Sequence, residues 1–146
     1  MLIQQGSPAF TQRLPKLIDA LSPAEEAAIC EKLGAPYASW VRLAILTGMR
    51  QLEQFSLRWE HVDVKRGMLT LPTTKAGGVQ YVRLNQEANE LIQSFIPGNK
   101  SVWVFPSENP ATHVDPRNFY KRVYLPAMKA IGLQGATWHT LRHTFA

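Results

Sequence analysis

The stretch Thr137-Trp-His-Thr-Leu-Arg-His-Thr-Phe-Ala146 decides how the rest of this chain is read. Thr137 can cap a helix, and a helix that follows it sets His139, Arg142 and His143 at offsets of three and four, on one face. Leu141, Phe145 and Ala146 are left to pack inward. No Asp or Glu occurs from Gln134 to the end, so an arginine shares its face with two imidazoles and no carboxylate, a face suited to an anion. A zinc site is the competing reading, because His139 and His143 have the spacing of the His pair in H-E-x-x-H. Thr140 stands where that motif needs its Glu, and the single cysteine, Cys30, has no partner spacing. The expectation is therefore no metal and no cofactor.

Length and composition set the frame around this helix. A chain of 146 residues, 45% of them apolar, is one domain with a core of its own. It has no run long enough to span a bilayer and no secretory apolar segment after Met1, so a reducing cytoplasmic setting and no membrane partner are the expectation. The net charge of +5 suits a nucleic-acid partner, and its distribution is more informative than its total. Residues 1–57 carry five basic and five acidic side chains. Residues 58–83 hold Arg58, Lys65, Arg66, Lys75 and Arg83 against Glu60 and Asp63, and residues 100–146 hold Lys100, Arg117, Lys121, Arg122, Lys129 and Arg142 against Glu108 and Asp115. The excess positive charge thus lies in the second half, with the closing helix.

Taken in order, residues 1–13 read as a linker or flexible lead-in and residues 14–146 as the domain. Ser22-Pro-Ala-Glu25 is a capping box with Pro at the first helical position, which predicts a helix from Pro23 to about Leu33, stopped by Gly34. A second helix follows Pro36 with an apolar stripe of Trp40, Leu43, Ala44 and Leu46, and ends at Thr47-Gly48. Then Met49 to Leu57 make a short helical pattern with Leu52, Phe55 and Ser56 inward. Arg50 sits at its start and Glu53 three residues on, a spacing that lets the carboxylate hold a partly buried guanidinium; a solvated surface ion pair is the alternative.

From Trp59 the period changes to alternation. His61–Val64, Gly67–Leu71 and Val79–Leu84 read as short strands, the last two joined by a loop that carries Lys75 at a hairpin tip. Asn85 caps a further helix to about Phe95, and Val102–Phe105 is a short buried run. Asp115-Pro116 opens a helix to about Ile131, with Phe119, Val123, Ala127 and Met128 inside. Arg117, Lys121 and Arg122 gather near its start, where backbone amides also favour phosphate. The fold class is mainly α with a small antiparallel β-sheet (α+β).

Arg50, Lys75, His139 and Arg142 share one chemical theme. Attack on a phosphodiester builds charge on the non-bridging oxygens, which two arginine forks neutralise, while a Lys or His protonates the departing sugar oxygen. Here the chain resembles the catalytic domain of the tyrosine recombinases, the phage-integrase family. The matching pieces are Leu46-Thr-Gly-Met-Arg50 with Glu53 and Leu57-Arg-Trp59, Thr74-Lys75, Val104-Phe-Pro-Ser107, and His139-Thr-Leu-Arg-His-Thr-Phe-Ala146.

The resemblance implies a site-specific DNA recombinase that works on double-stranded DNA with other recombinase subunits, in a bacterial cell or phage-infected host. It cuts one strand at a time and rejoins it through a covalent 3′-phosphotyrosine. Arg50 and Arg142 would clamp the scissile phosphate, His139 would assist proton transfer, Lys75 would act as general acid, and Glu53 would support Arg50. His143 is left without an assigned role. Apart from the resemblance, Arg117, Lys121 and Arg122 are read from their place at a helix start as DNA-backbone contacts, with a solvated helix face as the equal alternative. The family's pattern continues to a Tyr nucleophile, and Tyr37, Tyr81, Tyr120 and Tyr124 all precede the His-x-x-Arg motif. The expectation is a catalytic domain incomplete at its C-terminus and inactive alone. A non-catalytic DNA-binding module is the other reading.

Overall fold

The computed structural model describes residues 17–72 and 78–145; the expected linker at 1–13 and Lys75 lie outside the described residues. The described residues form seven α-helices and a three-stranded antiparallel sheet. Helix α1 is Pro23–Leu33, begun by the expected capping box: Ser22 Oγ accepts the Glu25 amide at 3.2 Å and Glu25 Oε1 accepts the Ser22 amide at 2.9 Å. Helix α2, Tyr37–Thr47, stops at Gly48, whose φ of 69° and ψ of 15° are the left-handed conformation that ends helices. Arg42 on α2 donates to Glu26 of α1 at 2.9 Å and to Glu87 at 2.7 Å.

A short helix α3, Gln51–Phe55, leads through a single 3₁₀ turn at Trp59–His61 into strands β1 (Val62–Asp63), β2 (Met68–Pro72) and β3 (Val79–Arg83). The sheet order is β1-β2-β3, with Leu69 opposite Val82 and Pro72 opposite Val79. Alternation does what the sequence requires: Leu69 and Leu71 are buried while β3 keeps Val79 and Tyr81 exposed. Asn85 caps helix α4, Gln86–Gln93, by accepting the Ala88 amide at 2.8 Å. Helix α5 (Pro116–Phe119) runs through a π-helical turn at Tyr120–Tyr124 into α6 (Leu125–Ala130). Pro126 has no N–H and its ring crowds the turn before it, which accounts for the widened turn. Helix α7 is Trp138–Phe145.

The centre is aromatic. Phe55 lies 5.5 Å from Trp40, 5.4 Å from Phe105, 5.4 Å from Phe119 and 5.9 Å from Trp138, ring centre to ring centre, so one ring joins α2, α3, α5, α7 and the segment after α4. Across the other side, residues 18–21 strap α7: the Ile18 amide donates to Gly135 O at 3.0 Å, Thr140 Oγ1 donates to Ile18 O at 2.6 Å, and the Leu21 amide donates to Thr144 Oγ1 at 2.9 Å.

Three inward assignments are corrected. Leu52 is 62% exposed and Gln54 is buried in its place, donating to Trp40 O at 2.9 Å; a helix of five residues has too few turns for its apolar period to fix a face. Phe145 is 56% exposed because the last turn of α7 passes Gly48, where no side chain covers it, and the buried side of α7 is Trp138, Thr140 and Leu141. Val102 is exposed, and only Val104 and Phe105 of that run are buried. The π turn sets Tyr124 in the core, and Val123, half-buried, packs against that core as expected. No helix among the described residues is long and apolar enough to cross a membrane.

Candidate active site

The bend from Thr47 to Arg50 organises the site. The left-handed Gly48 turns the chain so that its carbonyl faces α7, where Arg142 Nε donates to it at 2.8 Å. One residue on, Met49 O receives the Trp138 indole N–H at 3.4 Å. Arg142 is half-buried, and beyond Nε its guanidinium has no partner among the described residues. Two residues span at most about 7 Å of chain, so the carbonyl that moors Arg142 lies within that reach of the Arg50 backbone although 92 positions separate the two arginines (142 − 50).

Arg50 begins α3. Glu53 Oε1 accepts the Arg50 amide at 2.8 Å, and Glu53 Oε2 lies 3.4 Å from Arg50 Nη1. The carboxylate thus caps the helix and leans on the guanidinium together. The expected partial burial is corrected, since the Arg50 side chain is 64% exposed. The bend packs its backbone against α7 and turns the arginine outward.

His139 is exposed one turn before Arg142, its ring centre 4.1 Å from that of His143. His143 Nδ1 is in turn 2.9 Å from Asp19 Oδ1 of the strap. Sequence reading missed Asp19, because no local pattern links positions so far apart. Among the described residues no three His, Cys, Asp or Glu side chains are grouped to hold a metal ion.

Lys75 falls outside the described residues, but the strand ends that flank it, Pro72 and Val79, are paired. Pro72 also lines a groove of about 730 Å³ with Arg50, Glu53, Arg58, Gln80 and Trp103. The groove runs from the arginine bend to the hairpin. In the sequence Arg58 stood in the charge tally and in the Leu57-Arg-Trp59 piece, and Trp103 in a short apolar run, with nothing to bring the two together.

Arg117, Lys121 and Arg122 are exposed and line a shallow depression together with Asp115 and Asn118. The amides at this helix start are not open to phosphate as expected: Asp115 Oδ1 accepts those of Arg117 and Asn118 at 3.0 and 3.3 Å. The side chains alone carry the positive charge there. Gln51, next to Arg50, donates to Pro116 O at 3.2 Å and so ties the basic helix start to the bend. Arg50, Arg142, His139 and Arg117 are therefore carried on elements that meet at one place.

The four tyrosines are placed elsewhere. Tyr124 is buried, donates its hydroxyl to Ala136 O at 2.7 Å, and burial pushes its phenol far up from the usual value. Burial also raises Tyr120, against a backbone hydrogen bond at Trp138 that lowers it. Tyr37 packs edge-on to Trp40 at 5.1 Å, and Tyr81 is exposed on β3 opposite Thr70.

One consequence of the bend is measurable. Gly48→Ala places a Cβ 2.9 Å from Phe145 Cδ2 and asks Ala to hold a left-handed backbone. It is expected to cost about 1–2 kcal/mol in urea unfolding, and Phe145→Ala in the same chain should recover the steric part but leave the backbone part.

Comparison with known proteins agrees with this geometry. The phage integrase family model matches residues 12–146. The chain is 29% identical over 158 aligned positions to the tyrosine recombinase XerD of Vibrio vulnificus, covering 96% of this chain and 49% of that protein. It is 28% identical over 142 positions to the integrase of Salmonella phage P22, covering 90% and 36%. The fold matches the lambda integrase catalytic core with a TM-score of 0.70 at 20% identity, covering 88% of this chain and 81% of that one. The chain spans 24% to 49% of the length of the curated relatives it matches. With a family model that takes in nearly every residue and the two arginine motifs docked on each other, the chain belongs to the phage integrase family, the tyrosine recombinases, and carries that family's catalytic-domain fold.

Proposed function

We infer that this domain grips the scissile phosphate of double-stranded DNA for a site-specific recombinase, acting with other recombinase subunits. The observation that carries this reading is the mooring of Arg142 to the Gly48 carbonyl, two residues from an exposed Arg50. A phosphate set between them meets two forks of N–H donors, each suited to a pair of oxygens. Glu53 holds Arg50, and His139 stands at the same face of α7 as Arg142 to assist proton transfer at the nucleophile. In the step this supports, a tyrosine oxygen bonds to phosphorus and the bond from phosphorus to the 5′ oxygen breaks. The departing oxygen takes a proton, and Lys75 is the donor we assign. Arg117, Lys121 and Arg122 add sequence-independent contacts to the backbone.

None of the four tyrosines is the nucleophile in this reading. Tyr124 and Tyr120 are held in or against the core, Tyr37 lies in the aromatic cluster, and Tyr81 belongs to the sheet. The 146 residues alone are thus expected to bind DNA without forming a covalent complex. The test is Arg50→Ala in a chain that also carries the family's tyrosine, incubated with a nicked duplex substrate. The covalent protein–DNA band on a denaturing gel should vanish while gel-shift affinity stays within about threefold, a loss under 1 kcal/mol. A parallel loss of binding and cleavage supports the non-catalytic DNA-binding module instead.

A further inference from the structure

The groove beside Arg50 contains a second arginine with nothing to hold. Arg58 follows α3 as Arg50 precedes it, and its guanidinium carbon sits 4.5 Å from the centre of the Trp103 ring. That contact uses the ring-facing side of the cation and none of its N–H donors. No carboxylate pairs with Arg58 and no acceptor takes its donors among the described residues, since Glu60 lies instead beside His61 at 3.7 Å. The position is also built into the backbone. Arg58 and Trp103 form a β-bridge, the Trp59 amide donates to Val102 O at 3.0 Å, and the Trp103 indole donates to Ala111 O at 3.1 Å. A surface arginine normally spends side-chain entropy to reach a ligand; this one is pre-set.

We propose that Arg58, held over Trp103, is a second phosphate site that takes the DNA backbone flanking the scissile phosphate along the groove. The inference rests on the recombinase reading above and names the contact that continues its strand. Position fits one strand: Arg50, which begins α3, and Arg58, three residues past its end, line the same groove. Charge fits as well. Of the residues lining the groove, Glu53 is the one carboxylate, and its oxygens are engaged by the Arg50 amide and guanidinium. Gln80 and Thr70 supply neutral donors along the same wall.

The experiment is titration of the 146-residue chain onto a fluorescent duplex across a series of salt concentrations, for the unaltered chain, Arg58→Ala, Arg58→Lys and Arg117→Ala, with thermal unfolding as a control. Each phosphate contact contributes about 0.9 to the slope of log K against log salt. Arg58→Ala is expected to lower the slope by about 0.9 without shifting the melting temperature, and Arg58→Lys to restore it. A slope for Arg58→Ala equal to that of the unaltered chain, with Arg117→Ala still lowering it, overturns the Arg58 site and leaves the recombinase reading standing. Absence of salt-dependent binding by the unaltered chain overturns both.

Discussion

Arg142→Ala, in a chain that also carries the family's tyrosine, is expected to slow single-turnover strand cleavage by about a thousandfold or more, with DNA binding nearly unchanged. Removing one preorganised donor from a developing oxyanion costs about 10²–10³ in rate, and removing an arginine from a phosphoryl transition state about 10³–10⁵. Arg142 belongs toward the upper part of that range because it is held before DNA arrives: Nε is tied to Gly48 O at 2.8 Å, leaving the rest of the fork for the phosphate. Arg142→Lys should recover little. A single ammonium cannot both bond the Gly48 carbonyl and present a planar pair of donors. Quenched-flow measurement on a nicked substrate reads this directly, and a variant cleaving within tenfold of the unaltered protein would remove Arg142 from the transition state.

Phe55→Ala should have the largest effect on stability. The ring is fully buried and touches four other aromatic rings from four different parts of the chain. Truncating such a phenylalanine costs about 3–5 kcal/mol, through lost burial and the cavity left behind. Small domains hold only about 5–15 kcal/mol in all, so a large fraction of the stability goes with it. Urea unfolding followed by tryptophan fluorescence should show a lower midpoint at an unchanged slope. Since α3 is anchored through this ring, Arg50 would lose its support even where the variant still folds, and Phe55→Leu, which keeps most of the volume, should retain both.

What the sequence disclosed and what it withheld divide along physical lines. Helix starts and stops were legible at Ser22, Gly48 and Asn85 because caps act through residues within a turn of one another. The strands and their antiparallel pairing followed from alternation between turn residues. Arg50, His139 and Arg142 stood out through local spacing. Contacts made across the fold were not legible. Leu52 and Gln54 exchange places because tertiary packing, not a five-residue period, orients α3. The exposure of Arg50, the Asp19–His143 pair and the Arg58–Trp103 stack all depend on which surfaces meet.

The strap over α7 has a consequence for the order of assembly. Ile18 and Leu21 bond Thr140 and Thr144 across more than 120 positions, and closing so long a stretch of chain is among the slowest events open to a small protein. The helix that bears Arg142 is therefore expected to settle late, after the hairpin and the α1–α2 pair have formed. Hydrogen exchange would then find α7 opening before the rest, so that the phosphate grip proposed for Arg142 comes and goes with the strap at residues 18–21.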